Sequence, residues 1–397
     1  MKILHINFSD NKGGASRAAI RLHKALLNNS TDSNFFCLFS KIKNKKLKII
    51  SPNYYKLQIN LIKYYLGKML GKFFNTSKIS IFSFSIFSSD TINFINKSDF
   101  DLIHLHWVCG ETISIKEIGK INKPIVWTLH DMWPLTGGEH CSLDDHWYNK
   151  NFVSKKLFDF RKLLLNLKKK HWRKKFFFIS PSHWMNSNLK KSFLKKNNSK
   201  IIPNTLDVNF WKLKKKNIKV NTIGYVLTEK NSLLKGTDLA YQIFDRLDLV
   251  KNSTYKIKIL GKFPRKLNKY KNLKIENFVS ENDIQVRNFY NSIDCLLVTS
   301  RQESFCQIAS EANSCGKPVI SFEIGGLKDI IINDINGYKV KNFNIQKITN
   351  RIIDFFYLDM EKRKRMSKKC MELSLKRYSY EVIAEQHLKI YEKILKK

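Results

Sequence analysis

Apolar residues in this chain come in short continuous runs. Between the runs they recur every three or four positions. A continuous run of four to eight residues predicts a strand buried on both faces, and the wider spacing predicts an amphipathic helix. MKILHINF reads as the first strand. NKGGASRAA is a glycine loop opening a helix that continues as AIRLHKALL. FFCLFS, DLIHLHW (Asp101–Trp107) and PIVWTLHD (Pro124–Asp131) are further strands. FFFISPSHWM (Phe176–Met185) is a strand running into a helix, and KIIPNTLD (Lys200–Asp207) closes the first half. A basic, aromatic stretch from Lys56 to Phe87 interrupts the alternation.

The pattern restarts near Asn221. TIGYVL is a strand, and LLKGTDLAYQIFDRL is a loop and helix. YKIKILGK is a strand, and LKIENFVSENDIQVRNFYNSI is a strand, turn and helix. IDCLLVTS (Ile293–Ser300) and CGKPVISF (Cys315–Phe322) are buried parallel strands, and NGYKV is the last one. Lys368–Lys397 is helical with a break around Tyr378–Tyr380. Strands and helices alternating in both halves predict an α/β protein of two doubly wound, Rossmann-like domains, 1–212 and 220–377, followed by a C-terminal helix, 378–397. The Lys-rich stretch Phe210–Lys219 has no core pattern and reads as the linker.

Composition adds limits. The 397 residues suffice for two cores, and 43% hydrophobic and 13% aromatic content mark a globular chain. No run of 18 apolar residues occurs, and the first residues lack the apolar core of a secretory signal. The seven cysteines (37, 109, 141, 295, 306, 315 and 370) are odd in number and form no C-x2-C pair, so reduced thiols in the cytoplasm are expected. A net charge of +39 will draw the protein to anionic surfaces, membrane lipid or nucleic acid. Because 60 Lys accompany only 12 Arg, alongside many Asn, Ile and Phe, genome composition explains part of the excess. Lys155–Lys200 carries 15 cations against one acid, Asp159. Such a run can be a solvated face. Interleaved with Leu, Trp and Phe, it also suits a membrane interface. No helix-turn-helix, zinc or RNA-binding motif supports a nucleic-acid-binding protein, which stands as the rival reading from another class.

The chemistry concentrates in SRQESFCQIASEANSCGKPVISFEIGG, Ser300 to Gly326. Glu303 and Glu311 are eight positions apart, on one face of a helix or at its mouth, between two buried strands. In such sheets ligands bind where strand carboxyl ends meet helix N-termini. Carboxylates there suit sugar or ribose hydroxyls, and the backbone N–H groups of Ser304, Phe305, Cys306 and Gln307 suit phosphates.

This segment resembles the E-x7-E signature of the family 4 retaining glycosyltransferases, and the resemblance extends over nearly the whole chain. It implies the GT-B architecture, with two Rossmann-like domains facing across a cleft and the last helix returning to the N-terminal domain. It also implies that Glu303 contacts hydroxyls of the transferred sugar and Glu311 the nucleotide ribose. GGASRAA is similar to the family's GG-A-x-R-A-A loop, which gives Gly13, Gly14 and Arg17 places near the phosphates and acceptor. TLHD places His130 near the transferred sugar, and Lys-Gly assigns Lys235 to the diphosphate. Ser182 and Asn204, in SPSHW and IPNTLD, match segments read as structural. The chain departs where many members carry an arginine. Gly224 is followed by Tyr225, and Leu234 precedes Lys235, which leaves Lys230 as the replacement cation.

The expected function is therefore a retaining transfer of sugar from a nucleotide diphosphate sugar to a saccharide or lipid-linked saccharide, in cell-surface polysaccharide or lipopolysaccharide synthesis. No metal or other cofactor is expected. The location is cytoplasmic, extending to the inner face of the plasma membrane. The rival enzyme is another GT-B catalyst, such as a nucleotide-sugar epimerase or a phosphorylase, although no residue marks a pyridoxal lysine.

Overall fold

A computed structural model of the chain describes residues 1–11, 13–74, 81–89, 91–143, 160–213, 221–227, 233–250, 255–262 and 270–396. Lys230, the start of the basic run (155–159) and most of the expected linker (214–219) lie outside the described residues. The chain forms two compact units, Met1–Thr205 with Tyr380–Lys397, and Leu206–Ser379.

Among the described residues the first unit holds seven strands, β1 (Lys2–Ser9), β2 (Asp32–Phe39), β3 (Ile49–Ile50), β4 (Leu102–Leu105), β5 (Ile125–Thr128), β6 (Phe177–Ser180) and β7 (Asn198–Ile201). All pair in parallel, in the order β3-β2-β1-β4-β5-β6-β7. The helices between them are α1 (Gly13–Asn28), α2 (Tyr54–Phe74), α3 (Thr91–Lys97), α4 (Ile115–Lys120), α5 (Phe160–His171) and α6 (His183–Lys191). β4 and β5 are buried at every position, as continuous apolar runs require when helices cover both faces. Ser182 caps α6 by accepting from the Met185 N–H.

The second unit has strands β8 (Thr222–Val226), β9 (Lys256–Leu260), β10 (Lys274–Phe278), β11 (Cys295–Val298), β12 (Val319–Phe322) and β13 (Gly337–Val340). They are again parallel, in the order β10-β9-β8-β11-β12-β13. Its helices are α7 (Thr237–Asp248), α8 (Asp283–Asn291), α9 (Gln307–Ser314), α10 (Leu327–Ile330), α11 (Ile345–Tyr357) and α12 (Met360–Tyr378). The edge strand β10, KIENF, is mostly exposed, unlike the central β11, CLLV. Leu206 and Trp211 pack in this unit's core beside Tyr290 and Tyr378, so the chain changes unit ahead of the Lys-rich stretch.

The last helix, α13 (Tyr380–Leu395), belongs to the first unit. Its Ile383, Ala384, Ile390 and Tyr391 join Ile3, Leu22, Leu26 and Leu102 in one buried cluster beside α1.

The described part of the basic run, 160–200, divides between core and surface. Trp172, Phe176 and Phe178 are core residues, and Lys168 is buried with its ammonium 3.8 Å from the Trp133 ring centre. That ammonium donates to the Trp133 and Thr136 carbonyls, and burial lowers its pKa to about 7. With these aromatics turned inward, the exposed positions of 160–200 are mostly cationic, with Leu163, 60% exposed, among them.

Candidate active site

Each sheet reverses its winding once, between β1 and β4 and between β8 and β11. The crevice beyond the strand carboxyl ends at such a point is where doubly wound sheets take ligands.

In the second unit three loops meet at the β8/β11 point. Lys235 Nζ donates to Glu303 Oε1 at 2.8 Å, and Ser300 Oγ donates to the same oxygen at 2.8 Å. Gly236, at φ +65°, lies so close that an added Cβ would stand 1.9 Å from the Thr299 carbonyl oxygen. Only glycine permits both the left-handed turn and this approach. Thr299 Oγ1 returns a hydrogen bond to the Lys235 carbonyl. Arg301 holds Asp238 with two parallel bonds of 2.7 and 2.6 Å and also donates to the Leu233 carbonyl. This fork pulls the Asp238 carboxyl below its usual range, chiefly through the hydrogen bond itself. Arg301 thus clamps the Lys-Gly loop to the Glu303 loop.

The turn after β12 supports Glu303 from the other side. Gly326 N–H donates to the Glu303 carbonyl at 2.8 Å, and Gly325, at φ +42°, leaves that carbonyl no room for a Cβ. Cys306 adopts φ +84° immediately before α9, a left-handed conformation that costs about 1–3 kcal/mol in a residue with a side chain. Its thiol is buried and pushed well above the usual cysteine pKa by desolvation, so it is an inert thiol. Phe305 is also core, with its ring 5.6 Å from that of Tyr378. Both side chains therefore anchor the turn, and Phe305 and Cys306 offer a ligand only their backbone. Ser304 and Gln307 are half-buried around them. The first N–H groups of a helix lack intrahelical acceptors, and α9 presents this end beside Glu303. Glu311, within α9, is almost fully buried and accepts from Tyr290 OH at 3.1 Å. Burial and this carboxylate hold the Tyr290 phenol well above its usual pKa.

In the first unit Gly13 and Gly14 open α1, exposed, with no atom within 4 Å of a Cβ added to either. Arg17 is exposed one turn further on. Asn7 fixes this loop to β4. Its amide donates to the Ser9 carbonyl and Ser16 Oγ, and its carbonyl accepts from Trp107 N–H at 2.9 Å.

His130 follows β5 and is half-buried. It ends a chain of imidazoles. His130 Nε2 lies 3.0 Å from His106 Nδ1, and His106 Nε2 lies 2.9 Å from His5 Nδ1. Burial lowers the His130 pKa to about 4 and holds His5 and His106 well below their usual value. Neutral rings carry one proton each, so the protons in this chain run in a single sense. Among the described residues His5 Nε2 is buried without a partner. A bare acceptor is the less costly orphan there, which sets His5 Nδ1–H donating to His106 and His106 Nδ1–H donating to His130. His130 then carries its own proton on Nδ1. Next to it, Asp131 accepts from Trp107 Nε1, the Trp133 N–H and His140 Nδ1 at 2.7, 2.9 and 2.6 Å. Burial alone would raise this carboxyl, but His140 and the two other donors outweigh it and keep the pKa low.

The structure thus gathers Lys235, Glu303, Ser304–Gln307 and Glu311 in one unit, and Gly13, Gly14, Arg17 and His130 at strand ends of the other. His5 and His106 escaped the sequence reading, which took them as strand interior. The signal for His106 was a polar residue repeated at i and i+2, His104 and His106, within the buried run LIHLH, whereas His5 is the single histidine of KILHINF.

Residues 12–210 match the family described as Glycosyltransferase Family 4, and residues 210–372 match Glycosyl transferases group 1. The first match alone spans half of the chain, and the protein belongs to glycosyltransferase family 4. An uncharacterized glycosyltransferase of Methanocaldococcus jannaschii is 30% identical over 172 residues, 40% of this chain and 45% of that protein. Lipopolysaccharide 1,2-N-acetylglucosaminetransferase of Salmonella typhimurium is 32% identical over 104 residues, 26% of this chain and 27% of that one. The chain thus spans less than half the length of these curated relatives. Among solved structures, Anabaena HepE in complex with UDP-glucose aligns over 99% of this chain and 100% of its own, with a TM-score of 0.66 and 16% identity. Sucrose-phosphate synthase of Thermosynechococcus elongatus aligns over 100% of both chains, with a TM-score of 0.68 and 14% identity. Such likeness establishes the fold, two parallel-sheet units of the GT-B class.

Proposed function

We propose that this glycosyltransferase moves a sugar, with retention of anomeric configuration, from a nucleotide diphosphate sugar to a saccharide or lipid-linked saccharide. The observation that carries the reading is the Lys235–Glu303 pair at the β8/β11 point, beside the N-terminus of α9. Lys235 would leave Glu303 for the donor diphosphate and stabilise the charge that develops on it as the glycosidic bond breaks. The first-turn N–H groups of α9 would share that load, so no metal is required. Glu303, released from Lys235, would accept from hydroxyls of the transferred sugar. Glu311 would accept from the ribose, with Tyr290 holding its other side. His130, neutral at physiological pH, would offer Nδ1–H to a sugar hydroxyl. Anabaena HepE has been solved in complex with UDP and with UDP-glucose, which supports this class of donor. The Salmonella relative, named as a lipopolysaccharide N-acetylglucosaminetransferase, supports a cell-surface glycan as the acceptor class.

Incubation with a panel of nucleotide sugars and membrane lipid extract, read by mass spectrometry, tests the proposal, and NMR of the product assigns the anomer. Transfer should persist in EDTA. If no donor is consumed and no nucleoside diphosphate binds the folded protein, the reading is wrong.

A further inference from the structure

Helix α2 is apolar on two faces. One face packs, burying Asn60, Gly67 and Gly71 and setting Tyr64 against Phe8 with ring centres 5.3 Å apart. The other is a stripe formed by Tyr55, Ile59, Ile62, Leu66, Met69 and Phe73, spaced by four, three, four, three and four residues. At about 3.6 residues per turn these six lie along one line of the helix. They are 79, 52, 61, 40, 48 and 76% exposed. Single exposed apolar residues are ordinary, but a continuous stripe of this length marks a surface that something covers.

Charge decides what covers it. Tyr54–Phe74 contains no Asp or Glu. By the same helical geometry Lys56 and Lys63 flank the stripe on one side, Lys63 donating to the Ser88 carbonyl, and Lys72 flanks it on the other, while Lys68 turns towards the packed face with its ammonium 6.0 Å from the Tyr64 ring centre. The spacing alone would also suit a second copy of the helix. Two copies, however, would bring lysine rows together with no acid on either to answer them, a like-charge arrangement that opposes pairing. An anionic bilayer answers both features, acyl chains for the stripe and headgroups for the lysines. Among the described residues no helix is long and apolar enough to cross a membrane. We propose that α2 docks the first unit on an anionic bilayer, lying flat with its apolar stripe in the headgroup–acyl boundary.

The inference deepens the proposed use of a lipid-linked acceptor but stands on α2 alone. Its test omits donor and acceptor, so its failure and that of the transfer reading are distinguishable. The full chain is sedimented with vesicles of phosphatidylcholine alone and of phosphatidylcholine mixed with phosphatidylglycerol, at low and high salt. Binding should favour the anionic vesicles by roughly tenfold or more and weaken with salt. Combining Ile62→Ser, Leu66→Ser and Met69→Ser should cut that binding roughly tenfold or more, with an unchanged melting temperature because all three side chains are exposed. Lys56→Gln with Lys72→Gln should reduce the preference for anionic lipid, whereas Lys169→Gln with Lys170→Gln on α5 should leave binding near wild type. Wild-type binding by the triple-serine chain overturns the proposal, as does absence of binding to either vesicle. A dimer in sedimentation velocity that the serines convert to monomer, with vesicle binding unchanged, would assign the stripe to a second copy instead.

Discussion

Lys235 and Glu303 show how little a residue's chemistry says until its neighbours are known. Their 2.8 Å bond joins half-buried groups, with 28 and 13% of the side chains exposed, so its contribution to stability is small. Its use is to hold a cation beside the carboxylate until a ligand arrives. Lys235→Ala should therefore lower kcat by roughly 10²–10³ while leaving thermal melting nearly unchanged. Steady-state kinetics and calorimetry on the same preparation would show it, and near-wild-type turnover would remove Lys235 from the diphosphate site. Glu311→Ala should weaken nucleotide binding roughly tenfold or more, because hydrogen bonds to a charged group contribute ~1.5–3 kcal/mol each. Titration calorimetry with nucleoside diphosphates decides, and unaltered affinity in a folded variant would end the ribose role. These two glutamates were legible in the sequence because one strand–loop–helix–strand segment contains both. His5, His106 and His130 were not legible as a set. They touch only because β1, β4 and β5 align in register, and no local spacing connects positions 5, 106 and 130.

Among the elements, the central strands were the most legible. CLLV and VISF are buried on both faces, so burial and composition give the same message. Helix α2 was missed for the opposite reason. Apolar residues on its packed and exposed faces together blur the 3.6-residue period that identifies a surface helix. α11 (Ile345–Tyr357) and the first turns of α12 were missed as well. The latter, MEKRKR, carries no apolar stripe and is started by Asp359, which accepts from Lys362 N–H. The Lys-Gly loop gives the sharpest test at this scale. Gly236→Ala would force a Cβ into the Thr299 carbonyl at φ +65° and should destabilise the second unit by about 2 kcal/mol or more. Denaturant unfolding would measure the loss. Full stability in that variant would mean that the Lys235 loop is not clamped to β11.

For the whole molecule, acid is the selective stress. Burial holds His23, His130 and His387 to about 4, and His5, His104 and His106 also lie well below the ordinary histidine value. All six belong to the first unit. Between about pH 6.5 and 4 the unfolded chain binds protons that these folded imidazoles refuse, so stability is present above pH 6.5 and drains away as the pH falls towards 4. Urea midpoints across that range should drop, with the fluorescence of Trp127 and Trp133 reporting the first unit. A flat profile would show that the imidazoles are not buried neutral.

The return of α13 to the first unit, where Tyr391 OH lies 2.6 Å from His104 Nδ1, also fixes an order of events during synthesis. Residues 206–379 leave the ribosome before this helix does. At about 5–20 residues per second the first sheet waits roughly 10–35 s for its last helix. Over that interval Ile3, Leu22, Leu26 and Leu102 lack their cover from Ile383 and Tyr391. A chain stopped after Ser379 should consequently yield a protease-resistant second unit and a protease-sensitive first one, and equal resistance of both would refute the dependence. For that interval the unit whose strands are made earlier is the one completed later, with the apolar face that α13 covers still open to solvent.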